Sequence, residues 1–312
     1  MKIYRGFEDR GLRPKKRSIA IGVFDGMHLA HQRILKNAVR GAKKERASSA
    51  VVTFDPHPQK ILSGNKKNPP ILMSLEHRLR VMELLGIEEA VVVRFNKKFS
   101  KMPREVFLNR CLLGRLGMVS LAVGHDFCFG RNASGSLSYL SQEAKRIGFA
   151  LSVCPPVREG GKTVSSTLIR RLIESGHLTA AERMLGRPVS IFGTVIHGRG
   201  RGKKMGFPTA NLNPYHETLP PEGVYAVRGR LGTKNLRGVL HIGKRPTFQD
   251  AEKSIEVHWL NRKGDLYGRE IELFFVKRLR ATQRFANPKA LEQAIVRDIQ
   301  AAVRALSSKK SK

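Results

Sequence analysis

The sequence predicts two domains of different class: an open α/β domain on a parallel sheet over residues 1–186, then a small antiparallel β-barrel closed by a helix over residues 187–312. Three observations carry this. A chain of 312 residues is about two domains long, at roughly 150 residues each. In the first half, short β-rich runs alternate with stretches of helical spacing, the pattern of βαβ units. In the second half, short alternating strands are separated by Gly, Pro and Asn turns, and the change of class falls at Leu185-Gly186-Arg187-Pro188.

In order, Ser18–Phe24 reads as a strand ending in a Gly-containing turn, and Gln32–Lys44 as a helix with Ile34, Leu35, Ala38, Val39 and Ala42 on one face. Ala50–Phe54 and Ala90–Phe95 are strands, Leu75–Leu85 and Pro103–Leu113 helices, and Ser120–Val123 and Ala150–Val153 the last strands of the sheet. The second half gives strands at Ser190–Ile196, Gly223–Gly229, Arg237–Ile242, Ser254–Leu260 and Glu270–Val276. Pro288 then opens a closing helix with Leu291, Ile295, Ile299, Val303 and Leu306 on its packing face.

With 41% hydrophobic residues the chain has enough apolar surface for two cores, so wholesale disorder is excluded. It has no apolar run of about 20 residues, as a membrane span needs. Its opening Met1-Lys2-Ile3-Tyr4-Arg5-Gly6 has no apolar stretch behind its charges, so the expectation is a cytoplasmic protein with no membrane partner. Cys111, Cys128 and Cys154 are odd in number and far apart, which argues against a disulfide framework or a thiolate zinc site and for buried free thiols. The formal charge is +33, the sum of 33 basic and 15 acidic side chains in residues 1–186 and 25 and 10 in residues 187–312. Such a surface attracts polyanions. Its even spread, without zinc-finger spacing, an aromatic RNA-binding signature or a recognition helix, gives no dedicated nucleic-acid partner, and composition leaves anionic small molecules open beside it.

The run Gly22-Val23-Phe24-Asp25-Gly26-Met27-His28-Leu29-Ala30-His31-Gln32 joins the first strand to the first helix. In an open α/β sheet, ligands bind at the carboxyl ends of the strands, where a helix N-terminus offers free amides to phosphate. His28 and His31 share one face of the first turn and suit hydrogen bonding to a triphosphate. One structural and one exposed histidine is the bland alternative, and nothing nearby completes a metal site of the H-E-x-x-H kind. Gly124–Gly130 and Val164–Arg170 are expected at the same rim, the latter setting three hydroxyls before a helix, where capping and phosphate contact use the same amides.

These segments resemble those of the bacterial bifunctional riboflavin kinase/FAD synthetase family, over nearly the whole chain. The family's G-x-F-D-G-x-H-x-G-H-Q is matched from Gly22 to Gln32, its T-F-D-P-H-P by Thr53–Pro58, its G-x-(D/N)-F-x-F-G by Gly124–Gly130, and its S-S-T-x-(I/V)-R by Ser165–Arg170. The resemblance implies a Rossmann-like nucleotidyltransferase domain that transfers AMP from ATP to FMN. In it His28 and His31 act on the ATP phosphates, together with Gly22, Phe24, Asp25, Ser165, Ser166, Thr167 and Arg170, and Asp126, His57 and Pro58 serve the FMN side. One position departs: Ala30 stands where the family has Gly between the histidines, and an added methyl group there is expected to reduce, not abolish, adenylyl transfer.

In the second half, Gly198–Gly206 is a basic glycine-rich loop that fits neither a Walker A motif nor G-x-G-x-x-G. By itself it reads equally as a phosphate wrap, an RGG-like contact or a hairpin loop. Gly206-Phe207-Pro208-Thr209-Ala210-Asn211-Leu212 then resembles the P-T-A-N signature of riboflavin kinases, with Pro221–Tyr225, Ile242–Phe248 and Asp265–Gly268 in that family's order. The resemblance implies ATP contacts at Gly198, Gly200, Arg201, Gly202, Lys203, Gly206, Pro208, Thr209 and Asn211, and flavin contacts at Glu222, Gly223, Val224 and Tyr225. Thr209 and Asn211, two apart on an extended segment, point the same way and suit Mg²⁺ as hard oxygen ligands. Glu256 matches the position of the catalytic base that accepts the riboflavin hydroxyl proton. The expected cofactor set is thus Mg²⁺ with ATP as co-substrate, and riboflavin, FMN and FAD as substrate and products. Two rival readings are a kinase with an impaired first domain and a basic nucleic-acid binder on this scaffold.

Overall fold

The apolar runs of the first half become one parallel sheet. In a computed structural model that describes residues 1–63, 70–197, 206–214, 218–244, 253–260 and 266–307, the strands are β1 (Lys2–Arg5), β2 (Arg17–Ile21), β3 (Ser48–Asp55), β4 (Glu89–Arg94), β5 (Met118–Gly124) and β6 (Ala150–Cys154). They lie in the order β1-β4-β3-β2-β5-β6, every pair parallel. β1 was not foreseen, its four residues being too short and too charged to register as a run. From β2 the chain winds through β3 to β4 on one side and returns to β5 and β6 on the other. That reversal between β2 and β5 opens a crevice at their carboxyl ends, where open α/β sheets bind ligands.

The first helix, α1 (Leu29–Lys44), turns Ile34, Leu35, Ala38 and Ala42 onto the sheet. Then come α2 (Pro58–Leu62), α3 (Leu75–Leu84), α4 (Lys97–Ser100), α5 (Arg104–Val106), α6 (Leu137–Ile147), α7 (Ser166–Glu174) and α8 (Leu178–Leu185). The helix expected over Pro103–Leu113 begins as α5 and continues as a π-helix over Phe107–Arg115. At the amino ends of the strands, Arg17 of β2 donates from Nε to Glu89 of β4 at 2.6 Å, with both side chains buried and Lys15 on the other carboxylate oxygen at 2.7 Å. The two buried charges hold because each is paired. A small hairpin of β7 (Arg158–Glu159) and β8 (Lys162–Thr163) precedes α7.

The second half closes a barrel in the order β10-β13-β12-β11-β14-β9, with strands β9 (Ser190–Ile196), β10 (Ala210–Pro214), β11 (Gly223–Leu231), β12 (Lys234–Lys244), β13 (Lys253–Trp259) and β14 (Glu270–Arg280), each neighbouring pair antiparallel. Closure removes the free edges that a six-stranded open sheet would carry. β10 was foreseen only as the extended segment of Thr209 and Asn211, not as a strand of the barrel: its proline and two asparagines disguise it as turn sequence. The closing helix α9 runs Pro288–Ser307 as expected, but its buried stripe is Ala294, Asp298, Ala302 and Leu306, and Val303 is 45% exposed. The expected face is therefore rotated. Small Ala302 packs on Ala226 of β11, and Arg280 of β14 holds Asp298 through a fork at 2.8–3.1 Å, which turns that side of the helix inward.

The chain divides into two compact units, Met1–Leu168 and Ile169–Lys312.

Candidate active sites

The first site is built on the β2–α1 turn. Phe24, Gly26 and Met27 take positive φ (57°, 85° and 48°). At Gly26 this geometry is enforced by packing, because a Cβ there would lie 2.6 Å from Leu72 Cδ1. The turn delivers His28 to the N-cap of α1, where its Nδ1 accepts from His31 N–H at 3.4 Å. The two imidazoles stack at 3.5 Å between centroids and 18° between planes, and Phe24 meets His31 edge-on at 5.4 Å. Burial lowers the His28 pKa to about 4. His31 is held well below the usual histidine range by burial, by His28 and by the Arg78 cation. Both rings are thus neutral at physiological pH. His31 Nδ1 is buried with no hydrogen-bond partner among the described residues.

Asp25 does not face outward. Its Oδ1 accepts from the N–H groups of Leu72 and Met73 at 2.8 and 3.1 Å, and its carbonyl oxygen accepts from Ser166 Oγ at 2.8 Å. It ties the segment before α3 and the start of α7 to the turn. Ser165 Oγ accepts from Leu168 N–H at 3.3 Å, a capping contact, and Thr167 is exposed. Arg170 lies one turn along α7, buried, past the division between the units. Asp126 follows β5 with its side chain 84% exposed, and its charge bears on His28. His57 caps α2, with Nδ1 accepting from Gln59 N–H at 3.2 Å and Pro58 as first residue of the helix. His57 also lines a cavity of about 60 Å³ with Asp25, Asp55, Lys60 and Arg78. Ala30 sits in the first turn of α1 at negative φ, so its methyl group strains no backbone.

Sequence reasoning missed Arg78. From α3 its guanidinium reaches under the turn: Nη1 donates to Val23 O at 2.5 Å and Thr53 Oγ1 at 3.1 Å, and Nη2 to Phe54 O at 3.4 Å. It is 4% exposed and faces Asp25, Asp55 and Glu76. A charged residue at helical spacing with the apolar Leu75, Leu79 and Met82 was the available signal.

The second site lies on the barrel. Asn211 of β10 is paired with Glu256 of β13, and Glu256 with His241 of β12. Directly opposed residues project to the same face, so the three form one row. Thr209, just before β10, donates from Oγ1 to Glu256 Oε2 at 3.5 Å. His258 Nδ1 lies 2.9 Å from Pro208 O and fixes the entry to β10. Gly206 has φ 79°, open to a glycine alone without strain. Gly198, Gly200, Arg201, Gly202 and Lys203 lie outside the described residues. At the start of β11, Arg278 donates to Glu222 O at 2.7 Å. Gly223 approaches Arg280 O so closely that a Cβ would lie 2.6 Å away. Val224 is buried, and Tyr225 is fully buried, edge-on to Phe275 at 5.2 Å, with its hydroxyl donating to Pro221 O. Thr209, Asn211 and Glu256 give an all-oxygen donor set of the kind Mg²⁺ takes.

A neutral imidazole pair at a helix N-terminus in the first unit, and a hydroxyl–amide–carboxylate group in the second, suit a two-domain enzyme that handles phosphate-bearing ligands. Comparisons with known proteins agree. A family model for FAD synthetase matches residues 12–168 and one for riboflavin kinase residues 185–306. The bifunctional riboflavin kinase/FMN adenylyltransferase of Escherichia coli (strain K12) is 35% identical over 96% of this chain and 96% of its own. That of Bacillus subtilis is 33% identical over 94% and 93%, and that of Pseudomonas fluorescens 35% over 99% and 98%. A solved structure from Streptococcus pneumoniae, described as a macrolide-efflux protein, superimposes with a TM-score of 0.81 at 25% identity, covering 96% of this chain and 97% of its own. Among the described residues no helix is long and apolar enough to cross a membrane. The chain belongs to the bifunctional riboflavin kinase/FMN adenylyltransferase family and is both a riboflavin kinase and an FAD synthetase.

Proposed function

We propose that the two activities use the two sites in sequence, with residues 1–186 as the adenylyltransferase domain and 187–312 as the kinase domain. In the barrel, Glu256 accepts the proton of the ribityl 5′-hydroxyl of riboflavin while that oxygen attacks the γ-phosphorus of ATP, and ADP leaves with FMN as product. Thr209 and Asn211 hold Mg²⁺, which when bound offsets charge on the ATP phosphates. Gly206 and Pro208, with the glycine-rich loop before them (Gly198, Gly200, Arg201, Gly202, Lys203), hold those phosphates, and Glu222, Gly223 and Val224 border the flavin. Tyr225 shapes that border from within the core. The register of Asn211 with Glu256 is the observation that carries this half.

In the α/β domain, a phosphate oxygen of FMN attacks the α-phosphorus of ATP and pyrophosphate leaves, so no proton has to move. Positioning and charge stabilisation supply the rate. His28 and His31 act on the ATP phosphates as neutral hydrogen-bonding groups beside the amides of α1 and beside Gly22 and Phe24 of the preceding turn, with Ser165, Ser166, Thr167 and Arg170 completing the nucleotide side. Asp25 and Arg78 hold that turn in place. Asp126, His57 and Pro58 serve the FMN side. The stacked, buried imidazole pair carries this half. The proposal places the enzyme in the cytoplasm with small-molecule substrates and no dedicated nucleic-acid partner.

Two variants test the assignment. His28→Ala is expected to spare FMN formation from riboflavin and cut FAD formation. Glu256→Gln is expected to abolish FMN formation while FAD synthesis from added FMN persists. Equal loss of both activities in either variant would sink the two-site account.

A further inference from the structure

Away from the crevice, the sheet of the first unit ends at β6, which pairs with β5 on one side and with no strand on the other among the described residues. A groove of about 440 Å³ runs along it, lined by Arg33, Asn37, Arg40 and Lys44 of α1 and by Ala150 to Val153. Successive residues of a strand point to opposite faces. All four of these strand residues line the groove, so it wraps the strand's edge instead of sitting on one face. Ala150 and Val153 are exposed within it. The wall is tied down: Asn37 donates from Nδ2 to Ser152 Oγ at 2.9 Å and to Cys154 Sγ at 3.0 Å, and Arg40 donates to Asn37 Oδ1. Gly41 of α1 leaves the floor to Ser120, since a Cβ there would meet its Oγ at 2.9 Å.

Spacing and charge together identify an occupant. Along a helix Arg33 and Arg40 are about 10 Å apart and Arg40 and Lys44 about 6 Å, a rail of about 16 Å. The five residues of β6 span about the same length. A strand added to this edge would present every second side chain to α1 at about 7 Å intervals, so three such side chains span about 14 Å, close to the length of the rail. Glu45 is the single carboxylate among the lining residues. We propose that this edge is a docking site for an extended acidic segment of a partner protein, which adds a strand beside β6 and sets alternate carboxylates against Arg33, Arg40 and Lys44. The backbone pairing gives the segment its direction and the cations give its sequence preference.

The test uses the full chain and a short labelled peptide alternating glutamate and valine, with binding read by fluorescence anisotropy at physiological salt. Reversing the rail (Arg33→Glu, Arg40→Glu, Lys44→Glu) is expected to weaken binding about tenfold or more, the summed effect of three exposed ion pairs. Reversing Lys97, Lys98 and Lys101 on and after α4 is expected to change it less than about twofold. Both variants should keep both enzymatic activities, which shows them folded. Hydrogen exchange should show new protection within Ala150–Cys154 on adding the peptide. Equal weakening by the two triple variants, equal binding of a peptide with its glutamates in one block, or unchanged exchange in β6 would each overturn the proposal and leave general attraction to a chain of charge +33.

Discussion

A buried guanidinium is held in place by its acceptors and by opposite charge, and Arg78 has three acceptors at hydrogen-bond distance and three carboxylates facing it. Removing it takes that donor from Phe54 O and leaves Val23 O with Thr53 Oγ1 at 3.3 Å, and a buried group left unsatisfied costs about 1–3 kcal/mol. Arg78→Met should therefore cut FAD formation at least about tenfold and leave FMN formation intact, with the kinase reporting the fold of the rest of the chain. Arg78→Lys, which keeps the charge, should recover part of the loss. Equal loss in both activities would mark it as a residue of general stability. The histidines give a pH signature. The His28 pKa falls from 6.5 to about 4 on folding, so between those values the unfolded chain binds a proton that the native chain refuses. Stability of the first module should be full above about pH 6.5 and decline as pH falls toward 4. Thermal melts across that window should show the decline, and His28→Gln should reduce it, the share of His31 remaining. These side chains were unequally visible in the sequence: His28 and His31 declare themselves within one contiguous motif, whereas Arg78 meets its partners from 55 and 25 residues away.

At the scale of the element, the sequence marked the central strands well because four of the six are buried runs of β-branched and small residues. It missed β1, and missed β10 as a strand of the barrel, since the pairing of both comes from partners distant in the chain. The closing helix shows the same limit. Periodicity located α9, but tertiary contacts chose its face, through Ala302 and the Arg280–Asp298 fork. Removing one member of a largely buried ion pair costs about 3 kcal/mol or more. Asp298→Ala should thus lower the melting temperature of the barrel and weaken the kinase more than the adenylyltransferase. Leu291→Ala, on the expected but only half-buried face, should cost less. The first turn of α1 bears on Ala30. Alanine favours a helix over glycine by about 1 kcal/mol, and the backbone at Ala30 is helical and unstrained. Ala30→Gly should loosen that turn and lower stability, measured by denaturant unfolding, with no more than a modest change in FAD formation. A large gain in FAD formation would show instead that the methyl group crowds the phosphates.

For the whole molecule, the motifs that the sequence displayed contiguously lie where the fold exposes strand ends or opposes side chains: the β2–α1 turn at the switch point of the sheet, and the Thr209–Asn211 segment beside Glu256. What stayed hidden was the buried scaffolding: Asp25 turned inward to bind two amides, and Tyr225 sealed in the barrel core. A linear pattern does not distinguish a residue that touches substrate from one that shapes its border. The central claim is that one chain carries two sites used in sequence. Its most direct test is a time course with purified protein, riboflavin, ATP and Mg²⁺, resolving the three flavins by chromatography with fluorescence detection. FMN should rise first and then fall as FAD accumulates. FMN accumulating with no FAD, while added FMN also goes unconverted, would contradict it.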